Sequence, residues 1–184
     1  MAQTDIKIKN QNKQEQVILV DENDNPIGLM EKMAAHDGPH LHRAFSVFLF
    51  NSKGEMLLQQ RAASKYHSPL LWTNTCCSHP RQGESVIEAA TRRLQEEMGM
   101  QCELEEKFTF IYQAKVGNGL TEHEFDHVLI GTCDDIPQIN PEEVESYKYL
   151  STSDIKQQLS EHPEQFTEWF KIAFAELLLK AQVD

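Results

Sequence analysis

Two short segments of the chain carry residue types that could do chemistry together. The first contains Cys77 and His79, and the second, further along, contains Glu122 and Glu124. Because residues i and i+2 of an extended backbone face the same side, Cys77 would lie beside His79 and Glu122 beside Glu124. A thiol, an imidazole and two carboxylates at one site would suit a metal-dependent reaction on a phosphorylated substrate, with a separate acid and base.

Histidines from an upstream loop could complete a cation site. His36 and His42 flank a stretch with Gly38 and Pro39. Two carboxylates held together repel each other unless a cation or a proton lies between them. Three imidazoles and two carboxylates would suit Mn²⁺, Mg²⁺ or Zn²⁺. Two alternatives stay open: a lone Glu-x-Glu also occurs on solvated edge strands, and a chain with 8 histidines has some on surface loops.

A helix predicted after His79 brings further charged groups. It contains two pairs of opposite charge at i,i+4 spacing, Arg92–Glu96 and Arg93–Glu97. Such pairs are common on solvated helices, which explains them adequately. In both pairs, however, Arg precedes Glu, which is the weaker orientation for helix stability. The carboxylates could therefore serve instead to hold a metal–diphosphate.

Hydrophobic periodicity and turn residues predict the strands and helices that carry these side chains. We predict strands over residues 16–20, 44–50, 56–58, 73–76, 108–114 and 124–130. A capping box at Ser85–Glu88 begins a helix that ends at Gly99, and a final helix covers about 167–181. The predicted apolar face of the first of these helices consists of Ile87, Ala90, Leu94 and Met98. Strands interrupted by a central and a terminal helix predict an α/β layered fold.

The composition and charge of the chain argue against several classes of protein. The net charge of −12 argues against general affinity for nucleic acid or anionic membranes. No segment approaches the roughly 20 apolar residues of a membrane span, and the start of the chain lacks the apolar core of a signal peptide. The 4 cysteines form no CxxC pair, which argues against a structural zinc finger. We predict a cytoplasmic protein with one domain over residues 16–184 and a flexible tail over residues 1–15.

The helix and the segment before it resemble the Nudix box, G-x5-E-x7-R-E-U-x-E-E-x-G-U, where U is apolar. Here the pattern runs through Ser78, Glu84, Arg92, Arg93, Leu94, Glu96, Glu97, Gly99 and Met100. Two positions depart from it, because Ser78 replaces the first Gly and Arg93 replaces the Glu after Arg. The second departure removes a carboxylate that hydrolases of this superfamily commonly use for metal, and it argues against pyrophosphate hydrolysis.

Within the superfamily, the chain resembles the type I isopentenyl diphosphate isomerases over about residues 16–180. The matching segments are Lys32 to His36, His42 to Ser46, Arg61 to Lys65, Trp72 to Pro80, and Glu122-x-Glu124. The resemblance implies a Nudix-type α/β/α layered sandwich with a mixed sheet. It also implies isomerisation of isopentenyl diphosphate to dimethylallyl diphosphate through a tertiary carbocation, a step of isoprenoid biosynthesis.

The resemblance assigns roles by position. Cys77 would be the catalytic thiol, Glu124 the partner acid/base, Tyr112 a hydrogen-bond donor to Glu124, and Trp169 the aromatic face toward the reacting carbons. The implied ligands of one tightly bound divalent ion (Mn²⁺, Mg²⁺ or Zn²⁺) are His36, His42, His79, Glu122 and Glu124. Glu97 would bind a Mg²⁺ that arrives with the substrate. The implied diphosphate contacts are Lys32, Arg61, Lys65 and Arg93.

Several alternatives remain at this point. His40 competes with His42 as a ligand, and His42 is preferred because it abuts the Arg-Ala-Phe-Ser segment. Trp169 could instead be a core aromatic of the terminal helix. The competing functions are a Nudix hydrolase acting on a nucleoside diphosphate derivative and a non-catalytic metal-binding module. We expect a monomer whose partner is a small diphosphate, with no nucleic acid and no membrane.

Overall fold

A nine-stranded mixed sheet forms the frame of the protein, described over residues 15–181 by a computed structural model. The strands are β1 (Gln16–Val20), β2 (Pro26–Glu31), β3 (His42–Phe50), β4 (Met56–Arg61), β5 (Trp72–Thr73), β6 (Cys76–Ser78), β7 (Glu105–Gly117), β8 (Leu120–Thr132) and β9 (Val144–Leu150). The helices are α1 (Lys32–Asp37), α2 (Val86–Met98), α3 (Thr152–Glu161) and α4 (Glu168–Lys180), and a 3₁₀ turn covers Pro163–Gln165.

Strand β3 lies at the centre of this sheet. It pairs in parallel with β8 along its whole length, from His42 opposite Glu124 to Phe50 opposite Thr132. Its other partners, β1, β4 and β6, run antiparallel to it, as do β7 to β8 and β9 to β4. One parallel pair among antiparallel ones makes the sheet mixed, as predicted.

Helices cover both faces of the sheet, because alternate residues of a strand point to opposite sides. Val47 and Leu49 of β3 lie in a core with Leu94 of α2. Phe48, between them, lies in a second core with Phe170 of α4. The predicted α/β/α layering is therefore confirmed.

Helix α2 begins and ends as its sequence predicts. Ser85 and Glu88 form a complete capping box, and Gly99 adopts a left-handed conformation with φ 64°. A Cβ atom at Gly99 would lie 2.5 Å from the carbonyl oxygen of Gln138, so only glycine fits this turn without a shift. The tight stop fixes where the chain leaves α2.

Some strands and helices of the structure differ from those predicted. Strands β2 and β9 and helix α1 were not predicted, because each is short and mixes polar with apolar residues. The proposed apolar face of α2 was wrong at Ile87, which is 47% exposed. The buried face instead runs through Ala89, Ala90, Leu94 and Met98, with Val86 packed beside it.

The described residues also limit two of the predictions. The flexible tail was placed at residues 1–15, of which 1–14 lie outside the described part, as do residues 182–184 of the predicted domain. Glu15 is described, and its carboxylate lies 3.1 Å from Nζ of Lys32. Among the helices described here, none has the length and apolarity to cross a membrane.

Candidate active site and metal centre

Most of the predicted site residues converge on one pocket of about 70 Å³. Those that line it are Lys32, Arg61, Lys65, Cys77, His79, Arg93, Glu97, Tyr112, Glu122, Glu124 and Trp169. His36 and His42 are fully buried, and their imidazoles lie against the carboxylates of this set. The pocket therefore gathers side chains from helices, strands and loops that are far apart in the chain.

Strand β8 supplies the two carboxylates. Glu122 and Glu124 are 6% and 8% exposed and point into the site, whereas the ring of His123 points away and contacts the Pro39 carbonyl at 2.9 Å. Tyr112 lies opposite Glu124 in the β7–β8 register, and its hydroxyl donates to Oε2 of Glu124 at 2.5 Å. Burial, followed by the negative charge of Glu124, raises the pKa of Tyr112 well above its usual range, so this phenol keeps its proton.

Three imidazoles surround these carboxylates. Nε2 of His36 lies 2.7 Å from Oε2 of Glu122, and Nε2 of His79 lies 3.1 Å from Oε1 of Glu124. Nε2 of His42 lies 3.2 Å from Nε2 of His79 and 3.7 Å from Oε1 of Glu124. The ligand atoms of His36, His42, His79 and Glu122 all lie within 4.8 Å of one another.

Backbone carbonyls set the orientation of two of these rings. Nδ1 of His36 lies 2.5 Å from the Lys32 carbonyl, and Nδ1 of His42 lies 2.8 Å from the His40 carbonyl. A carbonyl can only accept, so each Nδ1 carries the proton and each Nε2 presents a lone pair to the cluster. His40 thus meets the site through its backbone, while the side chain of His42 faces the carboxylates.

The donor set fits a divalent cation. Nε2 of His36 and Oε2 of Glu122 are buried and close together, yet neither has a hydrogen-bond partner within residues 15–181. Burial lowers the pKa of His42 to about 4 and that of His79 to about 3, so both rings are neutral ligands near pH 7. For His36, burial lowers the pKa, but the Glu122 carboxylate, the Lys32 carbonyl and the charge of Glu124 together raise it above its usual value. Neutral imidazoles and carboxylates are the ligands that Mn²⁺, Mg²⁺ and Zn²⁺ accept.

The two neighbouring cysteines have opposite environments. Cys76 is 0% exposed and packs in the core on the α2 side, whereas Cys77 lines the pocket. Cys77 lies opposite Ser46 of β3, which holds the thiol at a fixed depth in the sheet. Burial raises the pKa of Cys77 to about 12, so the thiol is protonated near neutral pH.

The cationic residues of the pocket are already engaged with groups of the protein. Arg93 donates to Oε1 of Glu97 at 2.6 Å and lies 3.3 Å from Oε2 of Glu143, and Lys65 pairs with the same Glu143 carboxylate. Arg61 donates to the carbonyls of the loop residues 67 and 68, each at 3.1 Å. These contacts fix the positions of three of the four cationic side chains that line the pocket.

Trp169 is in the pocket wall and not only in the core. The indole is 4% exposed, and its buried Nε1 lacks a hydrogen-bond partner among the described residues. The guanidinium of Arg61 lies 5.0 Å from the ring centroid, and the ring of His67 packs against it edge to face at 5.5 Å. The indole is thus fixed between a cation and a second aromatic ring.

Several pocket residues were not foreseen. His67 is buried, with Nε2 3.6 Å from Oε1 of Glu122, and only its closeness in sequence to Arg61 and Lys65 could have indicated it. Gln59 donates to Oε2 of Glu97 at 2.7 Å, and its position two residues before Arg61 on β4 was an available signal. Tyr66 and Ser78 also line the pocket.

Asp126 lies two residues after Glu124 on β8 and is a third carboxyl on the same face of the strand. It is 0% exposed, and its Oδ2 accepts a hydrogen bond of 2.8 Å from the hydroxyl of Ser46. Burial, followed by the charge of Glu124, raises the pKa of Asp126 well above its usual range. The strand period that pointed to Glu122 and Glu124 extends directly to this position.

Known proteins match the chain in sequence and in fold. The family model of the NUDIX domain matches residues 40–170. An isopentenyl-diphosphate Delta-isomerase of Pectobacterium atrosepticum is 56% identical over 162 residues, which cover 88% of this chain and 90% of that protein. The isopentenyl-diphosphate Delta-isomerase 2 of Aromatoleum aromaticum is 51% identical over 156 residues, covering 85% and 82%.

Solved structures show the fold. The protein DR0079 of Deinococcus radiodurans superimposes with a TM-score of 0.67 at 20% identity, covering 80% of this chain and 90% of its own. The MutT protein of Methanosarcina mazei superimposes with a TM-score of 0.61 at 16% identity, covering 78% and 96%. At this level of identity the likeness concerns the fold alone.

Proposed function

The chain belongs to the Nudix domain family and, within it, to the isopentenyl-diphosphate Delta-isomerases, and from that premise we propose how its pocket performs the reaction. The enzyme converts isopentenyl diphosphate to dimethylallyl diphosphate. The observation that best supports our assignment of roles is that a protonated thiol, Cys77, and a carboxylate, Glu124, line the same small pocket.

Moving the double bond requires a proton added at C4 and another removed from C2, with positive charge at C3 in between. Cys77 and Glu124 are the two proton-transfer groups, each donating in one direction of the reaction and accepting in the other. Tyr112 holds Glu124 through its 2.5 Å hydrogen bond, so that the carboxyl presents its other oxygen to the pocket. The thiol and the carboxyl belong to different strands, β6 and β8, so they can approach the substrate from different sides.

The hydrocarbon part of the substrate needs shelter from water, because water would capture the carbocation. The face of Trp169 can stabilise positive charge at C3 without donating a lone pair that would form a bond. His67 and Arg61 hold the indole from two sides, which limits its freedom to tilt. Trp169 therefore acts in this proposal through the electrostatics of its ring.

The resident divalent ion would be held by His36, His42, His79, Glu122 and Glu124, and we propose Mn²⁺, Mg²⁺ or Zn²⁺. When bound, such an ion offsets the repulsion between the two carboxylates and fixes their orientation. Glu97, which accepts a hydrogen bond from Arg93, would bind the Mg²⁺ that arrives with the diphosphate. Lys32, Arg61, Lys65 and Arg93 would contact the diphosphate oxygens, and this local positive charge counters the overall acidity of the chain.

Removal of one metal-facing ring should empty the resident site. We expect His79→Ala to lower the affinity for the resident ion by about 10–100-fold or more, because a buried ligand is lost. Elemental analysis of purified protein measures this. His123→Ala is the matched control, since that ring lies on the same strand as the carboxylates but faces away. Full metal occupancy in the His79 variant would remove this residue from the site.

A substitution at the proposed site of the substrate-linked Mg²⁺ should leave the resident ion in place. We expect Glu97→Gln to raise the Mg²⁺ concentration needed for half-maximal turnover by about 10–100-fold, because a charged ligand becomes a neutral one of the same shape. The content of resident metal should stay at the wild-type level. Loss of the resident ion in this variant would contradict the assignment of two distinct sites.

The function itself is tested by incubation of the protein with isopentenyl diphosphate and Mg²⁺, followed by identification of the product. Dimethylallyl diphosphate without release of phosphate supports the isomerase. A panel of nucleoside diphosphate derivatives tests the competing hydrolase, against which the Arg93 substitution in the Nudix box argues. Turnover of neither class would favour a non-catalytic metal-binding module.

We also propose that the protein acts as a cytoplasmic monomer on a small diphosphate, without nucleic acid or membrane partners. The acidic net charge of −12 and the four free cysteines support this. Size-exclusion chromatography with light scattering tests the oligomeric state.

A further inference from the structure

Two cysteines outside the pocket lie side by side at the far end of the β7–β8 hairpin. Cys102 belongs to the segment between α2 and β7, and Cys133 directly follows β8. Both are half-buried and pack against the core on the α2 side, and Cys133 is near enough to raise the pKa of the Cys102 thiol. Neither lines the pocket, so the proposed catalytic roles leave this pair unexplained.

The strand register accounts for the contact. Glu105 pairs with Ile130 and Glu106 with Leu129 in the antiparallel ladder. The same register, extended by three residues beyond the ladder, would place Cys102 opposite Cys133. The chains do remain close there, since a Cβ atom at Gly131 would lie 2.6 Å from the Glu103 carbonyl oxygen.

Opposed residues of an antiparallel pair suit a disulfide. Their Cβ atoms are typically about 4.5–5.5 Å apart, and a disulfide needs about 3.5–4.5 Å. A small movement of the two chain segments closes that gap, and both segments lie just beyond the regular ladder. The backbone N–H of Cys133, which donates to the Phe50 carbonyl at 2.8 Å, anchors one side during the movement.

We propose that Cys102 and Cys133 form a reversible disulfide when the protein meets a low-molecular-weight disulfide such as oxidised glutathione. The bond joins the end of the chain leaving α2 to the end of β8. Since α2 carries Glu97 and β8 carries Glu122 and Glu124, it ties together the two elements that frame the pocket, from outside the pocket.

The exchange proceeds in two steps that balance. The thiolate of Cys133 attacks the reagent, forms a mixed disulfide and releases one reduced thiol. Sγ of Cys102 then attacks the sulfur of Cys133 and releases the second reduced thiol, and the two cysteine protons leave with the released thiols. Two electrons pass from the pair to the reagent. Burial, followed by the neighbouring Cys133, raises the pKa of Cys102, which makes Cys102 the second thiol to react.

The remaining cysteines are shielded from the same reagent. Cys76 is 0% exposed. Cys77 lines the pocket, on the face of β6 opposite to the core-packed side chain of Cys76, so these two neighbours are poorly placed to bridge each other. Oxidation is therefore selective for the pair at the hairpin end, and the catalytic thiol stays reduced.

The experiment uses the full chain, first reduced and then equilibrated with oxidised glutathione. We expect two fewer titratable thiols, an intact mass lower by two hydrogens, and a non-reduced peptide that joins the segments containing Cys102 and Cys133. The unfolding temperature should rise by about 5–10 °C, because the bond constrains the unfolded chain across residues 102–133. A reducing agent should reverse the rise, and isomerase activity should persist.

Cys102→Ser and Cys133→Ser are the matched controls, with the alanine variants used if either serine variant fails to fold. Neither should show the oxidation-linked rise in unfolding temperature. Three results would overturn the proposal: stable glutathione adducts on wild-type protein without a cross-link, a cross-link involving Cys76 or Cys77, or no change in thiol number. A rise of equal size in the single-cysteine variants would overturn it as well.

Discussion

Replacement of Cys77 by alanine should lower kcat/KM for isopentenyl diphosphate by about 10²–10⁴-fold or more, the usual cost of losing an acid/base group. The described pocket has no second thiol to take its place, because the neighbouring Cys76 is buried in the core on the other side of the strand. Protonation of an unactivated alkene or abstraction of a proton from carbon then lacks one of its two partners. Steady-state kinetics with product identification measures the loss.

Cys76→Ala is the matched control for this thiol. It should keep most of the activity and lose only some stability, because Cys76 packs against apolar residues of the α2-side core. Thermal unfolding separates the two effects. Equal loss of turnover in both variants would contradict the assignment of Cys77, since the two side chains occupy opposite faces of β6.

Replacement of Glu124 by glutamine should have an effect of similar size, about 10²–10⁴-fold on turnover, because the amide keeps the shape but cannot cycle a proton. In D₂O the wild-type enzyme should place deuterium in dimethylallyl diphosphate, and in recovered isopentenyl diphosphate through the reverse reaction. Exchange should vanish in the variant. Mass spectrometry of the recovered diphosphates measures both.

The Glu124 variant needs a check on metal content, because the same residue is a proposed ligand. Glu122→Gln is the informative companion: it also faces the metal cluster, but Tyr112 donates to Glu124 and not to it. If both variants lose metal and activity in parallel, Glu124 acts only as a ligand. Persistent deuterium exchange in Glu124→Gln would exclude Glu124 as an acid/base.

The candidate site was more predictable than the fold around it. The i, i+2 spacing of Glu122 and Glu124 and the resemblance to a known family both depend on local patterns, and the structure gathers those residues at one pocket. His67 has no such pattern. It reaches the pocket because its loop folds back over Trp169, a long-range contact that spacing along the chain does not reveal.

The errors in the fold have physical causes as well. Strand β2 exposes most of its residues, so its sequence lacks the alternation that marks a half-buried strand. Strand β9 holds polar residues because it pairs with β4 at a partly exposed position. In α2, the apolar residues can be assigned to either of two adjacent faces of the helix. Packing against the sheet buries the face with Ala89 and Ala90 and leaves Ile87 exposed to solvent.

The parallel pairing of β3 with β8 makes the metal cluster a property of the whole folded chain. His36 comes from α1, His42 from the first residue of β3, His79 from just beyond β6, and Glu122 from β8. An unfolded chain scatters these residues, so an ion held by them would bind the native state and hardly bind the unfolded ensemble. By mass action, a free ion concentration about 100 times the dissociation constant would add about 2.7 kcal/mol to the free energy of unfolding. An ion bound at this cluster would therefore also stabilise the fold, and the unfolding temperature would depend on the metal concentration.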